Sequence, residues 1–492
     1  MIDRAGPAGP LVGLTVASPT DPARVEARVA AWLLGTLGAE VVPADRAADL
    51  VIAAPGPALS DLPGVPEGTA AYAVGVTLAA GALASVLGGP PVEVRPLDVA
   101  IQLFLPQVMA AAYGSPTWPV PPPPRDLGGR RGWLCLELGA PGEQERFDLF
   151  MAGVSAEATA PDVACGAQEW RLAVCDYRPR PASSAGLPDD GPVRPAGPAG
   201  LPATPTGAGP GGPPLDGITV CDLTAMWAGP LCTWLLGRLG ATVWKVEPDV
   251  RPDGMRAFDG RGVHPDGRGS APGTDSGLFQ ALNSGKARAP LDLRDAGHRR
   301  RLDDLVARSD LVVDSFSPRV MPNLGLTRDV LTADDPTRLT LSMPAFPPGP
   351  MRDWVAYGTG VHAVSGLGQM PSGVTPPFAS PAVTYPDPLG GLTAATSALA
   401  GFVGRRRGWT PTHLEVPLQS AVLPLLALGA PSTRLADRDP GLGRRLLEEA
   451  GPEAMALVEV AGRDLPHPVG PFRGAHIPPP TGPAPAWTGC VR

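Results

Sequence analysis

Residues 215–246, LDGITVCDLTAMWAGPLCTWLLGRLGATVWKV, decide the fold. Ile218, Val220 and Leu223 form an apolar run of strand type. Leu231, Trp234, Leu235 and Leu239 then recur at helical spacing until Gly240, which stops the helix. Thr242–Val246 opens a second apolar strand that ends at Glu247-Pro248. A strand, a helix and a strand of this length make a parallel crossover unit. The carboxyl edge of such a sheet is where ligands usually sit.

Downstream, GLFQALNSGKARAPLDLR (277–294) places a polar loop, Asn283–Lys286, before a short strand. A helix over His298–Arg308, a strand over Asp310–Ser315 and a strand over Arg338–Met343 follow. A small-residue helix over Asp387–Gly404 and a final strand, His413–Leu418, complete the alternation. The pattern predicts an α/β fold with a parallel sheet.

Upstream, Leu11–Val42 repeats the design of the first stretch, and the two share a WLLGxLGA core. AADLVIAAPGP (47–57) parallels RSDLVVDSFSP (308–318), and residues 75–100 parallel 391–421. Self-similarity at this long period predicts a duplication. The first copy is reduced, with nothing like SGKARAPLDLR and no counterpart to the segment around 349–367. The expected organisation is a reduced Rossmann-like repeat (1–118), a small α+β domain (125–180), a Pro/Gly-rich linker (181–214), a complete Rossmann-like domain (215–425) and a Pro-rich C-terminal segment (426–492).

A chain of 492 residues has room for about three domains. The net charge of −8 and the lack of a basic arm argue against nucleic acid as a partner. Cys135, Cys165, Cys175, Cys221, Cys232 and Cys490 form no CxxC pair and no Cys/His ligand spacing, so no metal site is expected. They read as small core residues of a reducing compartment. The N-terminus shows no secretion signal, and Thr69–Pro91, apolar but rich in Ala and Gly, reads as a buried helix rather than a membrane span. A cytoplasmic location without membrane contact is the expectation.

The second half resembles the class III CoA-transferases (the CaiB/BaiF type), which include formyl-CoA and carnitine CoA-transferases and α-methylacyl-CoA racemases. The resemblance lies in Leu215–Val246 with its AGP turn, KVEP (245–248), LNSGK (282–286) with LDLR, DLVVDSFSPRVMPNLGL (310–326), the GP…SGL region (349–367) and DPLGGLTAATSALAG (387–401). It implies a Rossmann-like CoA-transferase domain that holds CoA or an acyl-CoA as bound substrate. By position, the CoA contacts fall on Val246, Glu247, Pro248, Arg256, Asn283, Lys286 and Arg288. Lys286, Arg256 and Arg288 would pair with the phosphates of CoA. Family dimers interlock, so the resemblance also raises a homodimer, or a heteromer with an active homologue.

The family's transferases use an aspartate nucleophile. Its carboxylate attacks the acyl thioester to form a mixed anhydride, the released thiolate returns to form an aspartyl-CoA thioester, and an acceptor carboxylate completes the exchange. The motif places that aspartate after an aromatic residue, at a fixed distance from a Gly-Pro pair. Here the same spacing runs from Gly349-Pro350 to Tyr357-Gly358, so glycine stands at the nucleophile's position. Losing such a nucleophile costs on the order of 10⁴ to 10⁶ in turnover. Asp353, His362 and Asp387 are the candidate substitutes. The racemase route needs the same aspartate and an upstream histidine, which Ala225–Gly229 and Phe346–Pro350 lack.

Two functions follow. One is a CoA-transferase exchanging CoA between a CoA thioester and a carboxylic acid by altered chemistry. The other is a catalytically silent acyl-CoA-binding protein or partner subunit.

Overall fold

A computed structural model describes residues 9–12, 14–18, 24–52, 67–88, 92–112, 121–128, 131–139, 142–181, 187–189, 191–196, 212–249, 252–257, 275–381, 383–408, 413–428, 441–460, 463–473, 477, 480 and 482. The chain starts with β1 (Thr15–Ser18), α1 (Val25–Thr36), β2 (Glu40–Pro43), β3 (Leu50–Val51), α2 (Glu67–Gly88), β4 (Glu93–Val94), α3 (Pro96–Leu103) and α4 (Leu105–Ala112). β1 lies between β2 and β3, and all three run parallel. Among the described residues, α2 is the one helix long and apolar enough to cross a membrane, and 83% of its apolar window is buried inside the chain.

A small antiparallel unit follows: β5 (Arg125–Asp126), β6 (Trp133–Leu136), α5 (Glu143–Ala152), α6 (Ala160–Glu169) and β7 (Val174–Asp176), with order β5-β6-β7. Its own core holds Leu134, Phe147, Val163 and Leu172. Thr159 and Asp162 close a reciprocal capping box at the start of α6.

β8 (Arg194–Ala196) precedes the large sheet of β9 (Thr219–Asp222), α7 (Ala228–Arg238), β10 (Thr242–Val246), α8 (Gly277–Asn283), β11 (Ala287–Ala289), α9 (Ala296–Ala307), β12 (Leu311–Asp314), α10 (Val320–Asn323), α11 (Arg328–Leu331), β13 (Leu339–Ser342), α12 (Gly358–Val364), α13 (Pro386–Arg406) and β14 (His413–Glu415). The seven strands stand in the order β11-β10-β9-β12-β13-β14-β8, all parallel except β8. This is the α/β architecture with a parallel sheet that the alternation of elements predicts. β8 lies inside the stretch expected to be a linker. Its place needs only backbone pairing, and as an edge strand it tolerates Pro195, which sits opposite Leu414.

The Pro-rich C-terminal segment carries further elements. After α14 (Leu418–Val422) and α15 (Pro424–Ala427) it forms α16 (Leu442–Ala450), the hairpin of β15 (Met455–Val460) and β16 (Arg463–Pro468), and β17 (Phe472–Arg473). Leu442 and Leu446 of α16 are fully buried, and β17 pairs with β4. This segment therefore closes the chain back onto its first unit.

The two strand–helix–strand units share backbone contacts at matching positions. The Leu11 amide donates to Leu37 O as the Leu215 amide does to Leu239 O, and the Glu40 amide to Leu14 O as the Thr242 amide does to Ile218 O. Gly38 and Gly240 both take positive φ, at 101° and 105°, in the turn after the helix. A Cβ on Gly75 of α2 would lie 2.5 Å from Glu26 O and from Val29 Cβ of α1. A Cβ on Gly391 of α13 would lie 2.7 Å from Ala228 O and 3.0 Å from Leu231 Cβ of α7. α2 and α13 also pack on each other, where Thr396 Oγ1 donates to Val76 O at 3.1 Å.

Candidate functional site

The carboxyl ends of β9, β10 and β11 carry a buried network of charge. Asp222 ends β9, and its Oδ2 accepts from Thr233 Oγ1 at 2.6 Å and from Lys286 Nζ at 3.0 Å. Lys286 Nζ also meets Pro230 O at 3.0 Å, Thr233 Oγ1 at 2.8 Å and Asn283 Oδ1 at 2.9 Å. An ammonium has three protons, so four acceptors saturate it. Burial pulls Lys286 down to about 8 against the attraction of Asp222. Burial would raise the Asp222 carboxyl, but Lys286 and Lys245 outweigh it and hold it below its ordinary value.

Glu247, just past β10, takes both Nε and Nη2 of Arg256 at 2.7 Å, and Asp275 takes Nη1 at 2.8 Å. The Arg256 guanidinium also lies 3.9 Å from the centre of the Phe279 ring. Arg288 pairs with Asp249, and its Nε stands 3.8 Å from Glu247. Val246 is buried and Pro248 half-buried at this same edge. The structure thus brings all seven residues to one end of the sheet. Lys286 and Arg256 are buried with their donors taken up by carboxylates and carbonyls of this chain, and Arg288 is held by Asp249. These pairs tie Glu247 to Arg256 and Asn283 to Lys286.

A second centre lies at Gly358, the first residue of α12, which a loop joins to the carboxyl end of β13. A Cβ there would overlap Oδ2 of Asp387 and lie 2.6 Å from its Cγ, with Thr384 Cβ at 3.0 Å. The carboxylate of Asp387, in the first turn of α13, therefore fills the space a side chain at 358 would need. Burial pushes Asp387 up to about 6, with the Thr384 hydroxyl opposing.

Glu137 reaches the same helix from the small unit. Its Oε2 accepts from the Tyr357 amide at 2.9 Å and its Oε1 from the Thr359 amide at 3.0 Å, so it brackets Gly358. A Cβ on Gly360 would lie 2.6 Å from Glu137 Oε2. Burial pushes Glu137 up to about 7; the Tyr357 amide opposes this and the Asp387 charge adds to it. Sequence reasoning missed Glu137. Its one signal is a carboxylate directly after the apolar strand WLCL.

The other two substitutes fare differently. Asp353 pairs with Arg319 at 3.1 Å on the surface, both side chains about half exposed. His362 is buried one turn after Gly358 on the same face of α12, its ring stacked on Tyr385 with no well-formed hydrogen bond at either nitrogen. Burial pulls it down to about 3, so the imidazole is neutral and a weak base.

Residues 215–452 match the family model described as CoA-transferase family III. The chain is 30% identical over 238 residues to the acetyl-CoA:oxalate CoA-transferase of Acetobacter aceti, covering 46% of this chain and 58% of that protein. It is 32% identical over 214 residues to the formyl-CoA:oxalate CoA-transferase of Streptomyces avermitilis, covering 43% and 49%. A CaiB/BaiF family protein from Brucella suis of known structure is similar at 25% identity and a TM-score of 0.38, over 44% of this chain and 56% of that one. The chain spans about half the length of the curated relatives it matches.

Proposed function

We propose that the chain is a class III CoA-transferase-like protein that binds a CoA thioester at the carboxyl edge of β9–β11 and exchanges its CoA with a carboxylic acid. The observation that carries this reading is the family match over 215–452, which takes in both the β9–α7–β10 unit and the Gly358 centre. On the same reading the first unit is a reduced duplicate that scaffolds the second. CoA contacts fall to the backbone and side chains of Val246–Pro248 and to the loop held by Asn283 and Lys286. The phosphates meet backbone amides and cations outside the saturated network. The protein works in the cytoplasm.

Gly358 favours a second reading, a silent acyl-CoA-binding protein or the partner subunit of an active homologue. Isotope exchange separates the two: labelled acetate or oxalate is incubated with acetyl-CoA and the full chain. Incorporation of label into the thioester supports the transferase. CoA binding without exchange, restored by adding a homologue that carries the aspartate, supports the partner.

A further inference from the structure

We propose that a cleft in the first crossover unit, between α1, β2 and Leu187, binds a small apolar carboxylic acid through Arg28 and Ser18. This site lies outside the candidate CoA edge, and it does not depend on the transferase reading.

The two units treat the same place differently. In the second, Trp234 Nε1 donates to Ser284 Oγ, and the loop it meets sends the Lys286 ammonium onto Asp222. In the first, Trp32 Nε1 donates to Pro188 O at 2.8 Å, so residues 187–189 stand in for that loop. They are followed by Gly191, which fits closely on α1: a Cβ there would lie 2.3 Å from Thr36 Oγ1. This covering segment, Leu187-Pro188-Asp189, brings no ammonium. Ser18 faces Pro43 across the strands where Asp222 faces Lys245, so the carboxylate is missing too. In place of the ion pair there is a cleft of about 470 Å³. Small organic ligands occupy clefts of about 300–1,000 Å³, and in parallel sheets they favour the carboxyl edge.

The lining decides the class of ligand. Trp32, Val41, Pro43 and Leu187 supply apolar walls. Val41 is 44% exposed and Trp32 half-buried, so an apolar occupant would take their surface out of water. The Trp32 N–H is already engaged by Pro188, which leaves the ring to offer apolar contact. Arg28 is the one charged residue among the described lining residues, and Ser18 adds a hydroxyl. A guanidinium beside an apolar cleft selects an anion, and its planar fork suits a carboxylate. A single cation matches a monoanion rather than the several phosphate charges of CoA. An aromatic or branched-chain acid meets all of these conditions.

The test is calorimetric titration of the full chain with phenylacetate. The expected result is saturable binding with a Kd below about 1 mM. Phenylacetamide, the same shape without the charge, should bind at least about tenfold more weakly. Arg28→Gln should weaken phenylacetate by about tenfold and leave phenylacetamide unchanged. Val41→Trp and Leu187→Trp fill the cleft from β2 and from the covering segment, and each should abolish binding. Should one of them fail to fold, as judged by its melting curve, the other supplies the reading. Binding that survives the filling variants places the acid elsewhere and overturns the proposal. Equal affinity for phenylacetamide overturns it as well, and so does the lack of saturable binding at about 10 mM. None of these failures touches the transferase reading, which acetyl-CoA exchange tests separately.

Discussion

In the first crossover unit Ser18, Ala31 and Pro43 stand where the second carries Asp222, Thr233 and Lys245. The strand register is the same, Ser18 opposite Pro43 and Asp222 opposite Lys245. Each unit pins a covering segment with the indole of its helix tryptophan. Trp32 Nε1 donates to Pro188 O at 2.8 Å, and Trp234 Nε1 to Ser284 Oγ at 3.0 Å. The second unit fills the space beneath that segment with the Lys286 ammonium and its ring of acceptors. The first has no such lysine, and a cleft of about 470 Å³ opens there, lined by Ser18, Ala31, Trp32, Pro43 and Leu187 among others. Apolar packing and backbone turns are thus sufficient for the crossover unit. The buried charge is an addition, and it goes with the loops that line the candidate CoA site.

Removing that charge should produce the largest effect. Lys286→Met leaves Asp222 buried without its hydrogen-bonded ammonium partner and should cost about 3–5 kcal/mol in urea unfolding. Adding Asp222→Ser, the first unit's residue, should recover most of the loss. If Lys286→Met alone unfolds at the parent midpoint, the network is not what holds these loops.

The helix crossings come next. Gly75→Val and Gly391→Val each push a side chain into the facing helix, and each should cost about 1–3 kcal/mol. Similar losses in thermal unfolding would show that the two interfaces are energetically alike; a loss at only one would separate them.

A smaller effect is expected with pH. A carboxyl raised on folding lends stability that is complete below 3.8, its ordinary value, and is lost as pH rises through about 6 for Asp387. Glu137 and the Thr384 hydroxyl face it, and Glu137 extends the same decline toward about 7. Melting temperature should fall across that window, and Asp387→Asn should flatten the fall. The smallest change belongs to the first unit. Ser18→Ala removes a buried hydroxyl but strands no charge, and should cost only about 0.5–1.5 kcal/mol.

Much of the fold was legible because its elements change period sharply. Residues 215–246 pass from alternation to helical spacing, stop at a glycine that needs positive φ, and return to alternation, and β9, α7 and β10 follow those bounds closely. β8 was not legible, since an edge strand held by backbone pairing needs no side-chain pattern. α16 and β17 were hidden by the prolines around them. At the candidate site, Gly358 and Asp387 were both visible as single residues. Their contact was not, because it depends on how α13 lies across α12. Lys286 reads as a loop cation in sequence, and only the packing of α7, α8 and β9 places four acceptors around it.

Calorimetric titration of the full chain with CoA tests the central contrast most directly. The account predicts micromolar binding with one CoA per chain, because only the second unit keeps the loops of a CoA site. Two molecules per chain, or none up to millimolar CoA, would contradict it.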